Sequence, residues 1–174
     1  MFYVLTSSAP SEVNIVQRFE YELFADYHQF YLQDESAVGD LSDSWTQEAT
    51  ARMLAIAPGT IGIGTVRDMT VPVVVEISDS EPVEDTSTWD QVNECTLDAQ
   101  SGRIVIAGCT DYFPDAARIE VSPGSYRARL YYGNLDALSD DGLDGDDHYK
   151  VTLWRAAPGP VKVLKQRANP SGAP

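Results

Sequence analysis

Six aspartates fall in the run "DALSDDGLDGDDH": Asp136, Asp140, Asp141, Asp144, Asp146 and Asp147, with no lysine or arginine among them. A second acidic set, Glu81, Glu84 and Asp85, lies in "SEPVEDTST". Carboxylates at this density suit two kinds of chemistry. They offer hard oxygen ligands to a calcium ion, or they stand where the phosphates of a nucleic acid would stand and so engage a basic protein. The plain alternative is a solvated loop.

The regular calcium loop can be tested by register. With Gly145 in the sixth place, Asp140 fills position 1 and Asp144 position 5. Position 3 is then Gly142 and position 12 is Val151, where a bidentate glutamate is required. The run is not an EF-hand. An irregular calcium site at Asp136–Asp147 stays open as the one cofactor reading; otherwise no cofactor is expected.

Catalytic constellations are missing from the sequence. There is no G-x-S-x-G, H-E-x-x-H, C-x-x-C or phosphate-binding glycine loop. The two histidines stand apart: His28 in an aromatic stretch, where a structural role is expected, and His148 at the border of the acidic run. No catalytic activity is expected. Three tryptophans and nine tyrosines raise a carbohydrate-stacking alternative, but most of these aromatics fall on strand positions assigned to the core. Trp89 is the one expected to be exposed.

These residues need elements to position them. Alternation with period two dominates the chain. In "VPVVVEI", Val71, Val73, Val75 and Ile77 share a face. In "SYRARLYY", Tyr126, Ala128, Leu130 and Tyr132 oppose Arg127 and Arg129. In "HYKVTLW", Tyr149, Val151 and Leu153 oppose Lys150 and Thr152. "RIVIAGC" is apolar on both faces and reads as a central strand. "TIGIGTV" and "ARIEV" are shorter, and "RFEYELFADYHQFYL" is one bent strand or two. Turn signals are frequent, with Pro123-Gly124 set for the centre of a type II turn. One segment, "WTQEATARML", reads as a helix of two or three turns capped by Thr46, with Glu48 in its first turn.

The expected fold is therefore all-β, an antiparallel β-sandwich of about eight or nine strands with one short helix. Residues 1–165 read as a single acidic domain and 166–174 as a flexible tail. Cys95 and Cys109 read as two arms of a hairpin turning near Asp98 to Gly102. Cys109 then lies roughly 13 Å beyond the residue opposite Cys95, at ~3.3 Å per residue. That is too far for a disulfide, and both are expected as buried thiols. The acidic run joins two strands through about sixteen residues, far more than a hairpin turn needs. It is expected to be a mobile lobe.

The net charge of −15 is unevenly placed. No lysine or arginine lies between Arg18 and Arg52, Arg67 and Arg103, or Arg129 and Lys150, and those windows hold 8, 9 and 6 acidic residues. Such a field repels nucleic acid and anionic membrane and attracts cations or basic proteins. The first residues, "MFYVLTSSAP", lack a basic n-region and a long apolar run. No signal peptide or membrane span is expected, and a cytoplasmic location follows.

The segment "YHQFYLQDESAVGDLSDSWTQEATARMLAIAPGTIGIGT" resembles the competence protein J family, whose described role is inhibition of a DNA-entry nuclease. The resemblance rests on Tyr27, His28, Gln29 and Phe30, then Trp45, Thr46, Glu48 and Ala49, then Gly59 and Ile61 to Ile63. Tyr126 and Arg127 after Pro123-Gly124 continue it. It spans about residues 20–155. The chain departs from the family in its greater length, its more acidic loop and its unmatched tail. The matched residues read as structural, with Phe30 and Trp45 in the core. The resemblance implies a non-catalytic inhibitor of a nuclease. A toxin-immunity protein would need the same physics, a patch of carboxylates presented to a basic groove. The expected contacts are Asp136, Asp140, Asp141, Asp144, Asp146 and Asp147, with Glu81, Glu84 and Asp85 second. A calcium- or carbohydrate-binding module is the alternative.

Overall fold

The computed structural model describes residues 15–168, except Glu84 and the side chain of Val16. The N-terminal segment read for a signal and the end of the expected tail, 169–174, lie outside these residues. Two sheets face each other across one apolar core. The larger has the order β1 (Ile15–Phe24), β5 (Thr70–Ser78), β10 (His148–Arg155), β9 (Gly124–Gly133), β6 (Gln91–Ala99), β11 (Lys162–Lys165). The smaller runs β3 (Leu54–Ala57), β4 (Thr60–Gly64), β2 (Gln29–Asp34), β7 (Arg103–Gly108), β8 (Ala117–Glu120).

The all-β reading holds, with eleven strands among the described residues. The two beyond the expected number, β3 and β11, have four residues each, too few for alternation to register. One neighbouring pair is parallel, β5 with β10, with Val75 opposite Val151. The helix α1 (Gln47–Arg52) is shorter than expected. Thr46 caps it by accepting from Ala49 N at 3.1 Å, and Met53 in the left-handed region ends it.

Alternation places the core as read. Tyr126, Ala128, Leu130 and Tyr132 of β9 and Tyr149, Val151 and Leu153 of β10 are all buried against Phe30, Leu32, Ile104 and Ile106 of the opposite sheet. Tyr149 meets both Phe30 and Tyr132 edge-on, with ring centroids 5.9 Å apart in each case. This T-shaped geometry suits aromatic quadrupoles.

The outward face of the larger sheet is less exposed than alternation suggests. Arg127 and Arg129 are buried because two segments lie over them. Arg129 donates to Pro82 O at 2.7 Å, and Arg127 to Gly159 O at 2.7 Å and Pro160 O at 2.9 Å. Both guanidiniums also hold Glu94, at 2.8 and 3.0 Å.

Several expectations are corrected. β6 and β7 are not a hairpin. The turn ending at Gly102 carries the chain from one sheet to the other, so Cys95, Leu97 and Ala99 face Ile104 and Ile106 across the core. Period two is the same in both arrangements, which is why sequence reading chose the simpler one. Cys95 is buried as expected, but Cys109 is exposed, one residue past the end of β7. Trp45 is half-buried outside the core: it covers the outer face of the smaller sheet at Gly62, and its Nε1 donates to Gln29 Oε1 at 2.7 Å. The bent stretch is two strands in different sheets, and His28 is exposed in the turn between them. Trp89 is half-buried, packed on Tyr131 and His148 at 5.2 and 5.1 Å. Gln166 and Arg167, at the start of the expected tail, are tied down: Gln166 Nε2 and Arg167 N donate to Gln91 Oε1 at 3.0 and 2.7 Å.

Candidate functional site

The acidic run, residues 134–147, joins β9 to β10 at one end of the sandwich. It is not a loose lobe. Asn134 leaves β9 with φ of 54°. From there the backbone closes on itself: Ala137 N donates to Asn134 O at 3.0 Å, Asp146 N to Ala137 O at 3.0 Å and Ser139 N to Asp144 O at 2.8 Å. Leu138 and Gly145 form an antiparallel bridge. Gly142 makes the tip, with φ of 71° and open space where a Cβ would stand. Glycine is suited to that left-handed position.

A buried staple fastens this small hairpin to the body. Asp147 turns inward, 1% exposed, and pairs with Arg67 on the β4–β5 connection. Tyr149 Oη donates to the other Asp147 oxygen at 2.8 Å and accepts from Val66 N at 3.0 Å. Arg67 Nη1 also donates to Leu143 O at 3.2 Å, near the hairpin tip. At the base, Leu135 N donates to Asp90 Oδ2 at 2.7 Å, and Asp136 pairs with Arg167. A buried ion pair whose remaining valences are hydrogen-bonded holds geometry well, whatever its net contribution to stability.

With Asp147 inside, the other five aspartates of the run are exposed. Asp136 is paired with Arg167. Asp140, Asp141, Asp144 and Asp146 have no cationic partner among the described residues. Ser139 Oγ donates to Asp141 Oδ1 at 2.6 Å, and Leu143 N at 3.1 Å. These bonds hold the Asp141 carboxyl below the usual carboxylate range, the hydroxyl contributing most. It is therefore charged at neutral pH.

Glu81 and Asp85 belong to another surface. They lie on the strap, residues 79–90, that crosses the outer face of the larger sheet. Glu81 accepts from Arg129 at 2.6 Å, and Asp85 caps a single 3-10 turn by accepting from Ser87 N at 2.8 Å. Glu84 lies outside the described residues. The strap meets the base of the acidic hairpin at its far end, where Asp90 accepts from Leu135 N and Trp89 packs on His148.

Among the described residues, no group of three or more His, Cys, Asp or Glu side chains is placed to hold a metal ion, and no helix is long and apolar enough to cross a membrane. Sequence reading missed Arg67, Tyr149 and Asp90 as the parts that hold the hairpin. One signal was there: Arg67 is the single lysine or arginine between Arg52 and Arg103.

No protein-family model matches the chain, and no curated protein matches it by sequence. Its fold is similar to two solved structures. One is ComJ of Bacillus subtilis, an inhibitor of the DNA-degrading activity of NucA, with a TM-score of 0.62 over 84% of this chain and 100% of ComJ at 16% identity. The other is the protein of crocagin biosynthetic gene J, with a TM-score of 0.56 over 79% of this chain and 96% of that one at 20% identity. The expected likeness to competence protein J thus holds at the level of the fold.

Proposed function

We propose that this protein is a non-catalytic inhibitor that sets its acidic hairpin into the basic groove of a nuclease. The observation that carries the reading is the arrangement around Asp147. One aspartate is turned inward to Arg67 and Tyr149, so that Asp140, Asp141, Asp144 and Asp146 are held outside on a fixed loop. A solvated loop needs no such staple. Fixed carboxylates lose less freedom on binding than mobile ones do. The likeness of the fold to ComJ supports a nuclease as the partner, and the net charge of −15 supports a basic one.

A groove that takes DNA presents cations spaced for phosphates. Clustered carboxylates steer the approach to it, so association is fast at low salt and slows as salt is added. A competence-type nuclease and a nuclease toxin offer the same groove, and both are within this reading.

NucA is the probe. DNA hydrolysis by NucA should fall as this protein is added in stoichiometric amounts, and calcium should not be required for the effect. NucA that stays fully active in a large excess of the protein would overturn the reading.

A further inference from the structure

The turn between β1 and β2 holds an aromatic ring out of the protein at a conformational cost. Tyr27 and His28 both have φ of 56°, the left-handed region. Glycine and asparagine take that conformation readily, whereas tyrosine does so at a penalty. Both ends of the turn are pinned. Ala25 N donates to Met69 O at 3.0 Å, and His28 O accepts from Thr65 N at 2.8 Å. The chain has to change sheets between these points. The ring is 70% exposed, and its hydroxyl has no hydrogen bond among the described residues.

Two more exposed aromatics belong to the same corner. Phe24, the last residue of β1, is 44% exposed and Tyr112 is 70% exposed. The β7–β8 connection leaves Gly108 against the end of β1. A Cβ on Gly108 would stand 2.2 Å from Phe24 O. Asp111 closes that connection by accepting from Gly108 N at 2.8 Å. Asp26 and Asp111 flank Cys109, which feels the charge of both, and Asp68 is exposed on the neighbouring connection. Arg118, the cation of this corner, is taken up by Glu35 and by the carbonyls of Phe113, Pro114 and Ala116.

The corner is continuous with the acidic hairpin. Residues 65–69 hold the Tyr27 turn through Thr65 and Met69, and the hairpin through Val66 and Arg67. Beside Tyr27 lies a hollow of about 270 Å³ lined by His28, Gln29, Trp45, Met53 and Thr65, large enough for one side chain.

We propose that Tyr27, with Phe24 and Tyr112, is the apolar anchor that retains a basic protein partner once the acidic hairpin has steered it in. The proposal rests on the nuclease-inhibitor reading and names the second half of the contact. Exposed aromatics ringed by carboxylates match the make-up of protein interfaces, in which a few aromatic anchors carry most of the affinity. The occupant is cationic and not a second copy of this chain, because two copies at −15 each repel.

The test compares Tyr27→Gly, Tyr27→Asn and Tyr112→Ala with the unaltered protein, reading association and dissociation rates with NucA, melting temperature and sedimentation. Tyr27→Gly removes both ring and backbone penalty. It should melt at or above the unaltered protein, associate at the same rate and dissociate at least about tenfold faster. Tyr27→Asn should behave alike, and supplies the reading if the glycine variant folds poorly. A variant that inhibits as well as the unaltered protein would overturn the anchor and leave the inhibitor reading standing. So would loss of melting temperature in both Tyr27 variants, or a dimer of this chain that these variants dissociate. NucA untouched by the unaltered protein would overturn both.

Discussion

Arg67 and Asp147 stand 80 residues apart in the chain and meet as an ion pair buried at the base of the acidic hairpin. Removing either partner leaves the other charge buried and unpaired, which costs about 3–5 kcal/mol. Asp147→Ala and Arg67→Ala should each lower stability by that order in urea denaturation. Each should also open residues 134–146 to a protease that leaves the unaltered protein intact. Replacing both by apolar residues of similar volume should cost less than either single change.

The exposed aspartates should behave in the opposite way. Asp140, Asp144 and Asp146 make no ion pair and no side-chain hydrogen bond among the described residues, so changing these three to asparagine should leave the melting temperature essentially unchanged. Association with NucA should slow by about tenfold or more at low salt, and its salt dependence should flatten. An unaltered rate and salt slope in stopped-flow mixing would remove the hairpin from the contact.

Glu94 sets an acid limit on stability. Burial pushes its carboxyl up, but the hydrogen bonds from Arg127 and Arg129 outweigh burial and bring it below the ordinary range. A carboxyl whose folded pKa lies below its unfolded value of about 4.3 stabilises the fold above that value. The contribution is lost as pH falls through the folded pKa. Unfolding free energy should therefore drop with pH below about 4.3, and Glu94→Gln should flatten that limb. The variant should also be less stable by about 3–5 kcal/mol at neutral pH, since two buried guanidiniums lose their shared anion.

The two thiols should separate cleanly. Burial pushes Cys95 up to about 12, whereas Cys109 is exposed, its pKa raised by partial burial and then by Asp26 and Asp111. A disulfide reagent at pH 8 should modify one thiol in the folded protein and two after denaturation, since the thiolate is the reactive form. Asp26→Asn should quicken the Cys109 reaction by removing one of the charges that disfavour its thiolate.

Much of the fold was legible because strand faces are a local property. Tyr126, Ala128, Leu130 and Tyr132 alternate with Arg127 and Arg129 wherever β9 sits, so the core side could be read without knowing its neighbours. Thr46 caps α1 through a contact three residues away, and that too is local. The acidic run was legible as a charge cluster for the same reason: its six aspartates follow one another with no lysine or arginine between them.

Pairing across long separations was not legible. Nothing in "DAQSG" tells a hairpin from a crossing between sheets, because both reverse the chain and both keep period two. Asp147 shares the parity of Tyr149, Val151 and Leu153, but nothing local says that the inward face continues past the start of β10 or that a cation waits there. Asp147 is buried against Arg67 and Tyr149 while Asp146 faces water, and the choice depends on a connection between two other strands. The sequence by itself determined an acidic, strand-built protein with its carboxylates in clusters. Only the tertiary structure decided which of those carboxylates are structural and which are presented, because that depends on where distant cations come to rest once the two sheets close on their core.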